Sequence, residues 1–190
     1  MYLTDFLTSY VAFSHDELQD ILSYFTKEDV KKNQLLVKKG QVCRRLYFVH
    51  KGMGRSYYLK EDGKEVTQWF FGDGVFMSSA DSFFNQSTSY YYLETLEDSV
   101  LYSVSYDDLN HLLVKYHTME RFTRLLAITM LTKVAQKLNA IQFQTARERY
   151  DYMIAEFPNI AHRVPLGHIA SYLGMTQETL SRIRKNDMNL

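Results

Sequence analysis

The side chains with the most to offer chemically stand near the end of the chain, in RVPLGHIASYLGMTQETLSRIRKN from Arg163 onward. Gln177, Glu178, Ser181 and Arg182 are spaced so that, on a helix, they share or border one face. An arginine can donate to both acceptors of a guanine, and a carboxylate can accept from a cytosine amine. The chemistry on offer is hydrogen-bond readout of base edges rather than bond breaking. Thr176, Thr179, His168 and Lys185 add hydroxyl, imidazole and ammonium groups of the kind that hold phosphates.

Such a face needs two short helices to carry it. Leu166, Ile169, Ala170 and Leu173 recur at helical spacing and give the first helix an apolar stripe. Gly174 suits the left-handed position that ends a helix, and Met175 can tuck under the corner. Thr176 can cap the second helix, whose Leu180 and Ile183 point inward. Ala170 is small where the two helices must cross. The spacing predicts a helix-turn-helix with the start of its second helix in a major groove. An ordinary helical hairpin with a solvated face is the plain alternative.

The segment IASYLGMTQETLSRIRK resembles the DNA-reading part of the Crp/Fnr family of transcription regulators. Recognition helices there often carry a Glu followed three residues later by Ser-Arg or Gly-Arg, which Glu178, Ser181 and Arg182 match. Gln177 sits where relatives place another base-reading side chain. The resemblance implies double-stranded DNA as partner, with RNA polymerase as a further candidate.

Totals set bounds on this reading. The 190 residues are 46% hydrophobic, enough for a real core. Lys plus Arg and Asp plus Glu are 22 each, so no global basic field advertises nucleic acid. Local charge at Arg182, Arg184 and Lys185 has to serve, and weak binding per monomer favours a dimer. No apolar stretch approaches a membrane span and no signal-peptide pattern opens the chain, so a cytoplasmic location without membrane contact is expected. The single cysteine, Cys43, rules out an internal disulfide or a four-thiolate iron–sulfur cluster.

The fold class expected is α+β: an N-terminal β-roll of jelly-roll type, a long helix, and the C-terminal helix-turn-helix. Leu3, Phe6, Leu7 and Tyr10 make one helical stripe; Leu18, Ile21, Leu22 and Phe25 make another, opened by a Ser14–Glu17 capping box. From about Lys27 to Val104, short runs rich in Tyr, Phe, Val and Leu alternate between glycine turns, Asp62-Gly63 being the clearest hairpin tip. The glycine spacing resembles the cyclic-nucleotide-binding roll. Ser105 starts a helix, and Met119, Phe122, Leu126, Met130, Val134, Leu138 and Ile141 then give a longer one an apolar seam, as in a two-stranded coiled coil. In the family that is the dimer helix. A long helix packed only on its own roll is the alternative. A further helix follows over Phe143 to Phe157, then a short loop, NIAHRV, between Pro158 and Pro165. The expected domains are residues 1–116, 117–143 and 144–190. Relatives carry a β-hairpin wing after the recognition helix; with NDMNL after Lys185, that wing is expected to be missing or vestigial.

The ligand segment departs from the resemblance. Cyclic-nucleotide receptors of this fold hold the ribose with a Glu and the cyclic phosphate with an Arg about ten residues later. Aligned back from LETLEDSVLYSVSYDDL, this chain has Ser79 and Ser89 there. Between Gly63 and Tyr106 the one cationic side chain is Lys64, so a buried phosphate would lack a charged partner. Cyclic AMP and cyclic GMP are therefore not expected as effectors. Phe76, Ser79, Phe83, Ser89 and Tyr90 are candidate lining for another ligand, although aromatic runs in a roll commonly serve as plain core.

Two other function classes compete with this reading. One is a small-molecule sensor whose C-terminal helices make protein rather than DNA contacts. The other is a cupin-type enzyme, but metal-dependent cupins need two histidines one residue apart, and His15, His50, His111, His117, His162 and His168 include no such pair. Neither a Gly-x-Ser-x-Gly elbow nor a phosphate loop occurs. No catalytic residue, metal ligand or cofactor is expected.

Overall fold

The computed structural model describes residues 1–187, and its packing divides the chain into two units. The first comprises Met1–Ser56 and Phe70–Met130; the second comprises Tyr57–Trp69 and the chain from Leu131 on. In chain order the elements are α1 (Leu3–Tyr10), α2 (His15–Ser23), β1 (Thr26–Val30), β2 (Leu35–Val37), β3 (Arg45–Lys51), β4 (Gly54–Leu59), β5 (Glu65–Phe71) and β6 (Val75–Met77). They continue with α3 (Ala80–Asn85), β7 (Tyr92–Thr95), β8 (Ser99–Ser105), α4 (Tyr106–Lys115), α5 (His117–Phe143), α6 (Ala146–Glu156), α7 (Ile160–Arg163), α8 (Leu166–Tyr172) and α9 (Gln177–Asp187).

The strands form two four-stranded sheets, β1-β8-β3-β6 and β2-β7-β4-β5. β8 lies antiparallel between β1 and β3, with Glu28 opposite Leu101 and Tyr47 opposite Ser103. This is the expected sheet-rich roll followed by helices. β3 reads as a nearly continuous apolar run, Leu46 to Val49, because both its faces are covered. The Phe6 ring of α1 packs 5.3 Å from that of Phe48, and Phe76 and Phe122 close the same cluster. α1 thus buries the stripe Leu3, Phe6 and Leu7. α2 begins with the predicted capping box: the Ser14 hydroxyl accepts from the Glu17 amide, and the Glu17 carboxylate accepts from the Ser14 amide at 2.8 Å. Ser105 caps α4 in the same manner, through the Asp108 amide.

α5 runs for 27 residues, and its apolar seam divides in two. Met119 and Phe122 are buried in the core of the first unit, and Leu126 packs against that core. Met119, Phe122 and Leu126, expected in the dimer contact, face their own roll instead. Beyond Met130 the apolar side chains emerge: Leu131 is 69% exposed and Val134, Leu138 and Ile141 are each more than half exposed. Leu131, Val134, Leu138 and Ile141 follow a spacing of three, four and three residues, that of a coiled-coil seam.

In the second unit α6 opens with a further capping box, Thr145 with Glu148. Between Pro158 and Pro165 the chain is not the loop expected. It forms α7, because Ile160 and Val164 sit four residues apart and both bury their side chains, with the Val164 amide donating to the Ile160 carbonyl. The predicted absence of a wing concerns the chain after α9; Met188, Asn189 and Leu190 lie outside the described residues. Among the described residues no helix is long and apolar enough to cross a membrane.

Candidate nucleic-acid interface

α8 buries Ile169 and Ala170 and stops at Leu173. The Met175 amide then donates back to the Ala170 carbonyl at 3.0 Å and the Gly174 amide to the Ser171 carbonyl at 3.2 Å. This pair of bonds defines a Schellman turn, and it places Gly174 at φ +66°, where a Cβ would be strained. Arg149 of α6 fixes the corner from outside: its Nε donates to the Leu173 carbonyl at 2.9 Å and its Nη1 to the Gln144 carbonyl at 2.8 Å. Nothing in the sequence pattern marked Arg149 for that task. A lone arginine on an otherwise ordinary helix carries no local signal.

α9 starts where predicted. The Thr176 hydroxyl accepts from the Thr179 amide at 3.2 Å, and the two threonine hydroxyls lie 3.2 Å apart. Glu178 occupies the first turn, where its own backbone amide, then the Thr176 hydroxyl and the Arg182 charge, hold its carboxyl below the usual range. Its charge also suits the positive end of the helix dipole. Leu180 is fully buried and anchors the helix. Gln177, Glu178, Ser181 and Arg182 are all exposed, so the structure brings the four expected base-reading residues onto one open stretch of α9. Lys185 is also exposed, Thr179 and His168 are half-buried, and Arg182 Nη2 lies 3.5 Å from the Thr179 hydroxyl.

α8 and α9 also meet closely at Gly167. A Cβ on Gly167 would lie 2.5 Å from Nε2 of Gln177, so the glycine is what lets that amide fold onto α8. The signal was present as an isolated glycine within a helical pattern.

The roll has a second polar constellation. Ser79 and Ser89 are both buried with their hydroxyl oxygens 2.8 Å apart. Ser79 also reaches Asp81 Oδ1, and Ser89 donates to the Tyr91 carbonyl. The other three candidates for a ligand pocket diverge. Phe76 packs among Phe6, Phe25, Phe48 and Phe122, and Phe83 is buried against Phe84 and Tyr106. Tyr90 is exposed with the Lys39 ammonium 5.0 Å above its ring. The roll does contain a buried cation, Arg55 on β4, which lies before the Gly63–Tyr106 stretch. Its Nε and Nη2 both lie 2.7 Å from Oε1 of Glu94 on β7, so the charge is already matched within the sheet. Among the described residues no cluster of three or more His, Cys, Asp or Glu side chains is placed to hold a metal.

Comparison with known proteins agrees with this geometry. Residues 27–116 match the cyclic nucleotide-binding domain family. The fumarate and nitrate reduction regulatory protein of Escherichia coli K12 is 27% identical over 184 residues, spanning 88% of this chain and 70% of that protein. Its namesake from Yersinia pestis is 25% identical over the same shares, and the electron transport regulator A of Shewanella oneidensis 23%. Among solved structures, FixK2 from Bradyrhizobium japonicum superposes with a TM-score of 0.75 at 20% identity, over 85% of this chain and 83% of that one. A Crp/Fnr-family transcriptional regulator from Eubacterium rectale gives 0.68 at 19% identity, over 92% and 83%. These two likenesses concern the fold. The curated relatives are named as regulatory proteins, and with the matched domain they make this chain similar, over most of its length, to transcription regulators of the Crp/Fnr family.

Proposed function

We propose that the chain acts as a homodimeric DNA-binding regulator in which α9 reads base edges and the exposed half of α5 joins two copies. The observation that carries this reading is the open polar face of α9, held on α8 by a Schellman turn and capped by Thr176. Gln177, Glu178, Ser181 and Arg182 read bases; Thr176, Thr179, His168 and Lys185 hold phosphates and set the register. The uncovered apolar side chains Leu131, Val134, Leu138 and Ile141 supply the dimer seam. Met130 adds to its edge, whereas Met119, Phe122 and Leu126 stabilise each protomer.

In the roll the paired Ser79 and Ser89 replace the charged groups that a cyclic phosphate needs. Arg55 offers no substitute while it is paired with Glu94. Desolvating a phosphate there would cost several kcal/mol without a compensating partner. The roll therefore works without cyclic AMP or cyclic GMP.

The test is selection of duplexes bound by the full chain from a random pool. The expected result is a two-fold-symmetric motif whose half-sites lie about one helical turn, roughly 10 base pairs, apart. A bound pool with no enriched motif would remove α9 as a reader, and a motif without symmetry would remove the dimer.

A further inference from the structure

Residues Glu65 to Trp69 of β5 lie in the same unit as the reading helices and touch α8 at two points. The Thr67 amide donates to the Ser171 hydroxyl at 3.1 Å, and that hydroxyl donates to the His168 carbonyl at 2.9 Å. Glu65 Oε2 stands 4.0 Å from Nδ1 of His168. Lys137 of α5 completes the set: its ammonium donates to the Gln68 carbonyl while lying 3.8 Å from the Tyr172 ring centre and 5.1 Å from that of Trp69. Charge and ring faces attract one another most strongly where water is excluded. Burial pushes the Lys137 ammonium down to about 8, with Glu156 opposing, so the group still carries its charge near neutral pH. Trp69, Lys137 and Tyr172 also line a small cavity of about 30 Å³. These contacts join protein to protein.

What they hold bears on DNA. His168 is the one proposed phosphate-holding group on α8, and Glu65 places a carboxylate beside it. A DNA phosphate brought to that spot would meet a like charge. Gln177, first of the reading side chains, has its amide folded against Gly167 of the same helix. We propose that strand β5 is an autoinhibitory latch, in which Glu65, Thr67 and Gln68 hold α8 through His168, Ser171 and the Lys137–Tyr172–Trp69 stack, and which must open for full DNA binding. The latch rests on the DNA-reading role of α9 proposed above.

The test opens and locks the latch separately. Glu65→Gln and Lys137→Gln should each open it, and Thr67→Cys combined with Ser171→Cys should lock it on oxidation, Cys43 being buried. The sole tryptophan, Trp69, reports latch contact by its fluorescence. Binding is measured with a fluorescent duplex enriched from a random pool by the full-length chain. The expected result is a shift in Trp69 emission on opening with DNA binding tighter by about threefold to tenfold, the range that one or two net hydrogen bonds support. The oxidised pair should bind more weakly and recover with reductant. Unchanged Trp69 emission in both opened variants would show that the contacts do not form a latch. A shifted emission with unchanged or weaker DNA binding would overturn inhibition while leaving DNA reading intact. If no form, wild type included, enriches or binds any duplex while Trp69 still responds, DNA reading itself fails, and an inhibitory role falls with it.

Discussion

Arg182 ends 3.5 Å from the Thr179 hydroxyl, held loosely enough to leave for a base edge. If it donates to a guanine, Arg182→Ala should lose about 1–3 kcal/mol of discrimination at one position of each half-site. Binding to a panel of single-base operator variants would show that as a relaxed preference at one base pair. Equal weakening across the panel would make Arg182 a phosphate contact instead. Glu148 gives a residue-scale prediction of a different kind. The Thr145 amide, then the Thr145 hydroxyl, hold its carboxyl below the ordinary value of 4.5. A depressed carboxylate contributes stability that is present above the unfolded value and lost as pH falls through the folded one. Glu148→Gln should therefore flatten the fall in stability below about pH 4.5, as followed by urea unfolding at stepped pH, and leave the slope near neutrality unchanged. An identical acid limb in both proteins would mean that the box is formed equally in the unfolded chain.

At the scale of elements, α5 divides one amphipathic stripe between a buried half and an exposed half. Its first turns contribute Met119 and Phe122 to the protomer core, with Phe122 edge-on to Phe6 and Tyr10. Its later turns expose Leu131, Val134, Leu138 and Ile141. A charge placed in the first half should unfold the protein, whereas a charge in the second should only separate copies. Leu131→Lys with Val134→Lys is expected to give folded monomers in sedimentation, with an unfolding midpoint close to the wild type at equal protomer concentration after allowing for dimer linkage. A wild-type chain that is already monomeric at micromolar concentration would refute the seam. Leu126 is the wrong probe for this purpose, because it packs on the core and its replacement would confuse unfolding with dissociation.

For the whole molecule, the expected silence toward cyclic nucleotides is measurable through stability. A ligand present at one hundred times its dissociation constant adds about 2.7 kcal/mol to the folded state. With Ser79 and Ser89 paired and Arg55 bound to Glu94, millimolar cyclic AMP or cyclic GMP should leave the melting temperature unchanged. A clear rise would show that Arg55 can exchange its carboxylate partner for a phosphate. Either result separates the roll's ancestry from its present chemistry, since a fold does not by itself fix what its pocket binds.

Local rules determined much of this protein. Ser14 with Glu17, Ser105, Gly174 and Thr176 lie where helix starts and stops demand hydroxyls or a glycine, and each does in the structure what its position implied. These effects act over three or four residues, so they are legible in one dimension. The spacing of Gln177, Glu178, Ser181 and Arg182 was legible for the same reason. Tertiary structure decided the rest. An apolar seam shows only that something covers it, and three dimensions were needed to give Met119 and Phe122 to the core and leave Leu131 and Val134 open. The Arg55–Glu94 pair joins residues 39 apart, and the Thr67–Ser171 contact residues 104 apart. No periodicity connects such positions, because their meeting depends on how strands and helices pack after they have formed.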